Sequence, residues 1–407
     1  MLHTLPLELA TEICAFACPE TLSDPHPSHA PLLLTHVCQD WRRITHSIPR
    51  LWSELTLSYD HVGEPPTVLI EQWLRRAKLV SLSLWLGTSL PQEIIPVISR
   101  HSAKWKALEF HVGPTIHELA EINPIGGFPS LARLVVRSSQ LSDPPARPTE
   151  IDAFNNAPLL RELYFGGTPA QLKKLVVPWS QLTTYACTRM GVAEVLAVLA
   201  KTPNLVHCRL TTSTANPSAV LMSPLQHLKT LTFPLSSRLH ILANLTLPEL
   251  QSLDVGLPQE DDIETLLAFL GRSSCKLLHF SACARDTPAF SFYPCLRAMP
   301  TLSSLRLVIT PFAEIASLFE VLGEDQSLLP ALEYLIIVSE GRMVFNYDDL
   351  LAMLSARSSM DGCVSVRRIA LHWTSEPDPE FFPTPEMHSK LIVTGVSLHI
   401  GPDPPMA

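Results

Sequence analysis

The sequence predicts an α/β chain in two parts. A short all-helical module covers residues 1–57, and a repeat solenoid covers 58–400, its strands forming a parallel sheet that lines a horseshoe with helices on the convex side. Residues 401–407 are a tail. Three observations point this way. A six-residue apolar phrase recurs along most of the chain. Between its copies the hydrophobic period changes from two to that of a helix. The first sixty residues carry helical apolar stripes of a different kind.

The helical module comes first in the chain. Thr4 is placed to cap a helix with Pro6 in its first turn, and Leu9, Ile13 and Phe16 fall on one face of it. After the proline- and histidine-rich stretch Pro19–Pro31, Leu34, Val37, Cys38, Trp41 and Ile44 form a second stripe at helical spacing. Pro49-Arg50-Leu51-Trp52 then runs directly into Leu55 and Leu57, which read as the first strand.

From there the phrase Leu-x-x-Leu-x-Leu returns, often with a proline two residues ahead. Clear copies are Leu131…Leu134…Val136, Leu160…Leu163…Phe165, Leu205…Cys208…Leu210, Leu250…Leu253…Val255, Leu302…Leu305…Leu307 and Leu332…Leu335…Ile337. Weaker copies begin at Trp52, Leu79, Trp105, Leu182, Leu228, Leu277, Val366 and Val393. The mean spacing of about 26 residues suits one strand and one return segment per repeat. The last two apolar positions are two apart, so both point to one face of a short strand. Between copies, 193–200, 263–270 (with Gly271 as C-cap), 312–322 and 347–354 have helical periodicity. Stretches near 210–225 and 235–248 are too short for a full helix and predict single turns.

Composition agrees with a large stacked core. The 407 residues are 46% apolar and only 17% charged, which argues against disorder. A net charge of −9 without a Lys/Arg cluster gives no nucleic-acid footprint. The N-terminus lacks a basic start, and no apolar run reaches the roughly 20 residues of a membrane span, so a cytoplasmic or nuclear location is expected. In that setting Asn244-Leu245-Thr246 is a chance acceptor match. The nine cysteines are scattered, and several occupy apolar repeat positions, so they read as free thiols.

The phrase resembles that of leucine-rich repeats in degenerate form. The slot where that family carries Asn or Cys holds Ser139, Thr168, Ser213, Ser236, Thr310 and Thr374, hydroxyls placed to replace its backbone-bonding asparagine. The N-terminal module resembles the F-box. The order Leu-Pro-x-Glu-Leu, Ile, Val-Cys-x-x-Trp-Arg, Leu-Trp is supplied by Leu5, Pro6, Glu8, Leu9, Ile13, Val37, Cys38, Trp41, Arg42, Leu51 and Trp52. The match covers about a seventh of the chain, is especially like fungal F-box proteins, and departs from the compact motif in the long segment Pro19–Pro31. The resemblance implies a non-catalytic receptor subunit of an SCF (cullin-RING) ubiquitin ligase. Its N-terminal residues would bind the adaptor subunit and, through it, the cullin, and its repeats would bind a protein substrate. The alternative is a repeat scaffold whose F-box is non-degradative or decayed. Within the motif, Leu5 and Pro6 are favoured as interface and Trp41 is weighted toward packing.

Chemistry is otherwise thin. Cys14, Cys18, His26, His29, His36 and Cys38 lack the paired spacing of a zinc site, so no metal or cofactor is expected. Glu260-Asp261-Asp262 suits a helix start, Glu376–Pro385 reads as a surface loop, and no nucleophile elbow, phosphate loop or metalloprotease motif is present, so an enzyme is not expected. Alternation along the strands instead places Trp85, Glu109, His111, Arg133, Arg137, Glu162, Tyr164, His207, Arg209, Asp254, His279, Arg306, Tyr334, Arg368 and His372 on the face opposite the core. Arg and aromatic side chains favour protein recognition, so Trp85, Arg133, Arg137, Tyr164, His207, Arg209, His279, Arg306, Tyr334 and Arg368 are the candidate substrate contacts, for an acidic or phosphorylated segment. Ordinary solvated strand residues are the competing reading.

Overall fold

The computed structural model describes residues 6–18, 25–58, 67–87, 90–91, 93–112, 122, 126–138, 150–212, 223–234, 239–256, 260–284, 292–309, 315–339, 346–373 and 382–402. The chain forms two compact units, Met1–Arg189 and Met190–Ala407.

Unit 1 opens with three helices, α1 (Leu7–Phe16), α2 (Leu32–Val37) and α3 (Gln39–Ser47). A 3-10 turn at Pro49–Trp52 leads into β1 (Glu54–Leu57). There follow α4 (Thr67–Arg76), β2 (Leu82–Leu86), α5 (Ile94–Ser99), β3 (Trp105–Val112), β4 (Arg133–Ser138), β5 (Glu162–Gly166), α6 (Pro169–Lys174) and β6 (Thr184–Met190). Each strand pairs in parallel with the next. The register stacks the second and third phrase positions into two buried columns. One runs Leu55, Leu84, Leu108, Leu134, Leu163 and Tyr185, the other Leu57, Leu86, Phe110, Val136, Phe165 and Cys187. No strand covers these side chains alone, so stacking is what removes them from water.

Unit 2 repeats the scheme with α7 (Val192–Leu199), β7 (His207–Thr212), β8 (Thr230–Phe233), β9 (Ser252–Val255), α8 (Glu260–Ser273), β10 (His279–Ala284), α9 (Tyr293–Arg297), β11 (Ser304–Ile309), α10 (Ile315–Glu324), β12 (Tyr334–Ser339), α11 (Tyr347–Ser358), β13 (Arg368–Trp373), α12 (Pro385–Val393) and β14 (Ser397–Pro402). Pairing is again parallel and sequential from β7 to β14. The expected single turn appears as a 3-10 segment at Leu239–Asn244, while 213–222 lies outside the described residues.

Every predicted repeat contains a strand, yet several local readings need correction. In the second and last repeats the phrase begins later than predicted. Leu84 pairs with Leu55 and Leu398 with Ile369, which leaves Leu79 95% exposed and Val393 87% exposed at the end of α12. A slip of two preserves the faces, so Trp85 remains opposite the buried column. Gly271 lies inside α8, which continues to Ser273, and does not cap it. Pro6, which has no side-chain hydrogen bond to offer, occupies the N-cap of α1, and Thr4 lies outside the described residues. The second N-terminal stripe is split into α2 and α3 by the extended Cys38. Of the hydroxyl slots only Thr168 is described, and it caps α6 in a reciprocal box with Gln171 rather than bridging repeats.

The bridges come from other positions. Ser130 donates to the Ala103 carbonyl at 2.7 Å and Thr301 to that of Leu277 at 2.8 Å. Gln181 donates to the carbonyls of Ala157 and Leu160 at 2.7 and 2.9 Å. Each lies one or a few residues before a strand and reaches back one repeat, satisfying carbonyls that a short turn leaves open.

Candidate binding surfaces

Helix α1 turns large apolar side chains toward solvent. In α1 the buried residues among the described side chains are the small Ala10 and Cys14, while Leu9, Ile13 and Phe16 are 52%, 44% and 93% exposed. These three share one face by their spacing. On α2, Leu32, Leu34 and Thr35 are buried, and Leu33 and Val37, four residues apart, are both exposed. Glu8, Cys38 and Arg42 are exposed too, and Trp41 is half-buried. Arg42 Nε donates to the Thr35 carbonyl at 2.8 Å, bracing α3 against the end of α2. Pro6 is exposed, and Leu5 lies outside the described residues.

Leu51 and Trp52 are different. Both are buried, Trp52 completely, so these two motif residues hold the module together and cannot contact a partner in this conformation. The Trp52 indole donates to the Thr45 carbonyl at 3.0 Å, and its ring meets Trp73 edge-on with centroids 4.9 Å apart. The Arg76 guanidinium sits 4.5 Å over the same ring. Trp73 in turn donates to the Glu54 carbonyl at 3.1 Å, fastening α4 to β1. Trp52 therefore joins α3, the 3-10 turn and α4, which ties the helical module to the first repeat.

The open sheet face of unit 1 is a self-paired set. Arg137 Nε donates to Glu109 Oε1 at 2.6 Å, His111 Nε2 lies 3.3 Å from the same oxygen, and the Trp85 indole also donates to Glu109. The Trp85 and His111 rings lie 4.6 Å apart, tilted by 58°. Burial raises the Glu109 pKa, but the hydrogen bonds from Arg137 and Trp85 outweigh it and hold the carboxyl below its usual range. On the next strands, Arg133 lies 4.8 Å over the Tyr164 ring with its Nε 3.8 Å from Glu162.

In unit 2 the same face carries His207, Arg209, His279, Tyr334 and Arg368, all exposed, and the half-buried Arg306. Asp254 on β9 is its one acidic strand residue among the described positions. Burial pushes the Asp254 pKa up, against the Ser281 hydrogen bond and the charges of Arg306 and Arg209. His372 shares the strand parity but is buried, its Nδ1 3.2 Å from the Gly401 carbonyl and its ring 5.4 Å from His399.

The acidic run serves local structure. Asp262 is buried in the first turn of α8 and accepts from the Leu239 N–H at 3.2 Å. Among the described residues no three metal-type side chains gather, and no helix is long and apolar enough to cross a membrane. No family model matches the chain and no curated protein is significantly similar to it.

Sequence reading missed two features of these surfaces. One is the buried side of α1, Ala10 and Cys14, whereas Leu9 and Ile13, named as interface by the motif, are exposed. The other is the pairing of Arg137 with Glu109, which depends on neighbouring strands 28 residues apart in sequence.

Proposed function

We propose that the chain is the substrate-recognition subunit of an SCF-type ubiquitin ligase, non-catalytic, docking an adaptor through its N-terminal helices and holding a protein on its repeat sheet. The observation that carries the reading is the apolar inversion of α1. Three large apolar side chains face solvent on a helix whose buried side, among its described side chains, is the small Ala10 and Cys14. A free helix of a stable module would turn that face inward, so the exposed stripe marks a surface that another protein covers. The F-box-like order from Pro6 to Trp52 says which kind of protein. It also divides the roles: Pro6, Glu8, Leu9, Ile13, Val37, Cys38 and Arg42 are exposed and available for contact, while Leu51 and Trp52 are core.

The repeats supply the second half of the reading. A parallel sheet with one face buried and the other carrying Arg, His and Tyr is a platform for a polypeptide. Bringing adaptor and substrate to one chain raises the effective concentration of substrate at the ligase. The test is capture of the purified adaptor by the purified chain. Binding that falls about tenfold or more in Ile13→Ser/Phe16→Ser, with melting unchanged, supports the reading. Absence of adaptor binding in the wild-type chain favours the scaffold instead.

A further inference from the structure

The open sheet face is not uniform in charge, and the difference identifies its occupant. In unit 1 the described positions of this face carry Arg133 and Arg137 against Glu54, Glu109 and Glu162, and both arginines lie beside those carboxylates. In unit 2 they carry Arg209, Arg306 and Arg368 with His207 and His279, against Asp254 alone. Arg209 and Arg368 are exposed, and neither forms an ion pair among the described residues, though the Asp254 carboxyl lies within electrostatic reach of Arg209 and Arg306. This cationic face belongs to a chain whose net charge is −9.

We propose that the open face of β7–β13 in unit 2 binds an acidic, carboxylate-rich peptide segment that crosses the strands. The register sets the geometry. Arg209 and Arg306 occupy the same row, four strands apart with Asp254 midway between them, and Arg368 lies two strands further and one row down, so an acidic segment places its carboxylates at the three arginines and an uncharged residue over Asp254. With strands about 4.8 Å apart, the first two Cα positions are about 19 Å apart and the last two about 12 Å. Cations spread in this way do not converge on one phosphate. They match several carboxylates along an extended chain, which advances about 3.3 Å per residue and so needs acidic residues roughly four to six apart. Between Arg306 and Arg368 the face offers hydroxyls from Ser304 and Tyr334, hydrogen-bond donors for the backbone of such a segment. The proposal rests on the receptor reading only in calling this segment the substrate's.

The experiment uses the full chain and a fluorescein-labelled ten-residue oligo-glutamate peptide, followed by anisotropy at low ionic strength. Oligo-glutamine and a Gly-Ser peptide with one phosphoserine serve as comparison probes. Oligo-glutamate is expected to bind, oligo-glutamine not, and Arg209→Glu/Arg368→Glu to weaken binding by about tenfold or more. Arg209→Lys/Arg368→Lys should keep most of the affinity, and Arg133→Gln/Arg137→Gln should change it by less than about twofold, since those arginines are already paired. No binding of oligo-glutamate, equal loss in the unit 1 variant, or tighter binding of the phosphoserine peptide would each overturn the assignment. The adaptor is absent from this assay. Peptide binding can thus fail while adaptor capture succeeds, or the reverse, and the two readings are judged separately.

Discussion

Single side chains do work here that the repeat phrase does not specify. Arg357, in the last turn of α11, is 1% exposed and donates to three carbonyls, those of Leu322, Leu328 and Leu329, at 3.3, 3.2 and 2.7 Å. They belong to the end of α10 and the turn after it, where a helix leaves its last carbonyls unsatisfied. Arg272, in the last turn of α8, does the same for Leu242 of the preceding 3-10 segment and Leu245 just after it. Removing Arg357 strands three buried acceptors, so Arg357→Ala should cost about 3 kcal/mol or more, read as a lower melting temperature or denaturant midpoint. A change no larger than that of an exposed Arg→Ala control, Arg100→Ala, would show that water replaces the clamp. Asp325 gives a pH signature of opposite weight. Ser327 donates both its hydroxyl and its N–H to one carboxylate oxygen and Arg297 donates twice to the other, holding the Asp325 pKa down to about 2. A pKa lowered by folding stabilises the folded state above the ordinary carboxylate pKa, about 3.9, and that contribution disappears as pH falls through about 2. Asp325→Asn should therefore lower the melting temperature near neutral pH, with the gap to wild type closing between about pH 4 and 2. A gap that is constant with pH would assign the loss to packing.

At the scale of elements, hydrophobic period announced the N-terminal helices but not their orientation, which only the motif order suggested. The stripe Leu9, Ile13, Phe16 is legible as one face; hydrophobicity alone assigns that face to the core, and the structure assigns it to solvent. Ala10 and Cys14 are buried instead, and which side of a helix meets its neighbours is not written in the local period. Trp52 is the converse case, a motif residue that reads as interface and packs as core. The two classes separate experimentally. Trp52→Ala removes a fully buried indole and should cost about 3–5 kcal/mol, with adaptor binding lost only through unfolding. Phe16→Ser should leave stability within about 0.5 kcal/mol and still weaken adaptor capture. Thiol labelling of the folded chain gives a third view. Cys38 is exposed at the start of α3, whereas Cys295 is buried and its thiol is pushed up to about 12 by burial. A maleimide reagent should modify Cys38 rapidly and Cys295 only on unfolding, and bound adaptor should protect Cys38. Rapid labelling of Cys38 in the saturated complex would move the docking surface away from α3.

At the scale of the whole chain, the repeat number and strand direction were readable because each copy of the phrase packs in the same way. Two apolar side chains, two residues apart, must meet the same pair in the strand before and after. Register was less readable where extra apolar residues flank the phrase. Leu79 and Val393 mimic the first position, and only pairing with Leu55 and Ile369 shows that the phrase starts later. The return segments were read least well, because their contacts, such as Arg357 to the turn before β12, join residues about thirty positions apart. The same nearest-neighbour logic predicts the response to truncation in unit 2. Ending the chain at residue 300 removes β11–β14 and the helices between them, leaving β10 as an edge. Phe280 and Ala282 then lose Leu305 and Leu307, their partners in the buried columns, and the N–H and C=O groups of β10 that bond β11 are left open. A fresh apolar edge with unpaired backbone is an aggregation template, since solenoid ends need a polar cap. The 1–300 fragment should therefore be insoluble or melt without cooperativity beside the full chain, measured by soluble yield and circular dichroism on heating. A soluble fragment with a sharp transition would mean that the first repeats of unit 2 are stable without their successors, and that the column of apolar side chains is not what holds β10 in place.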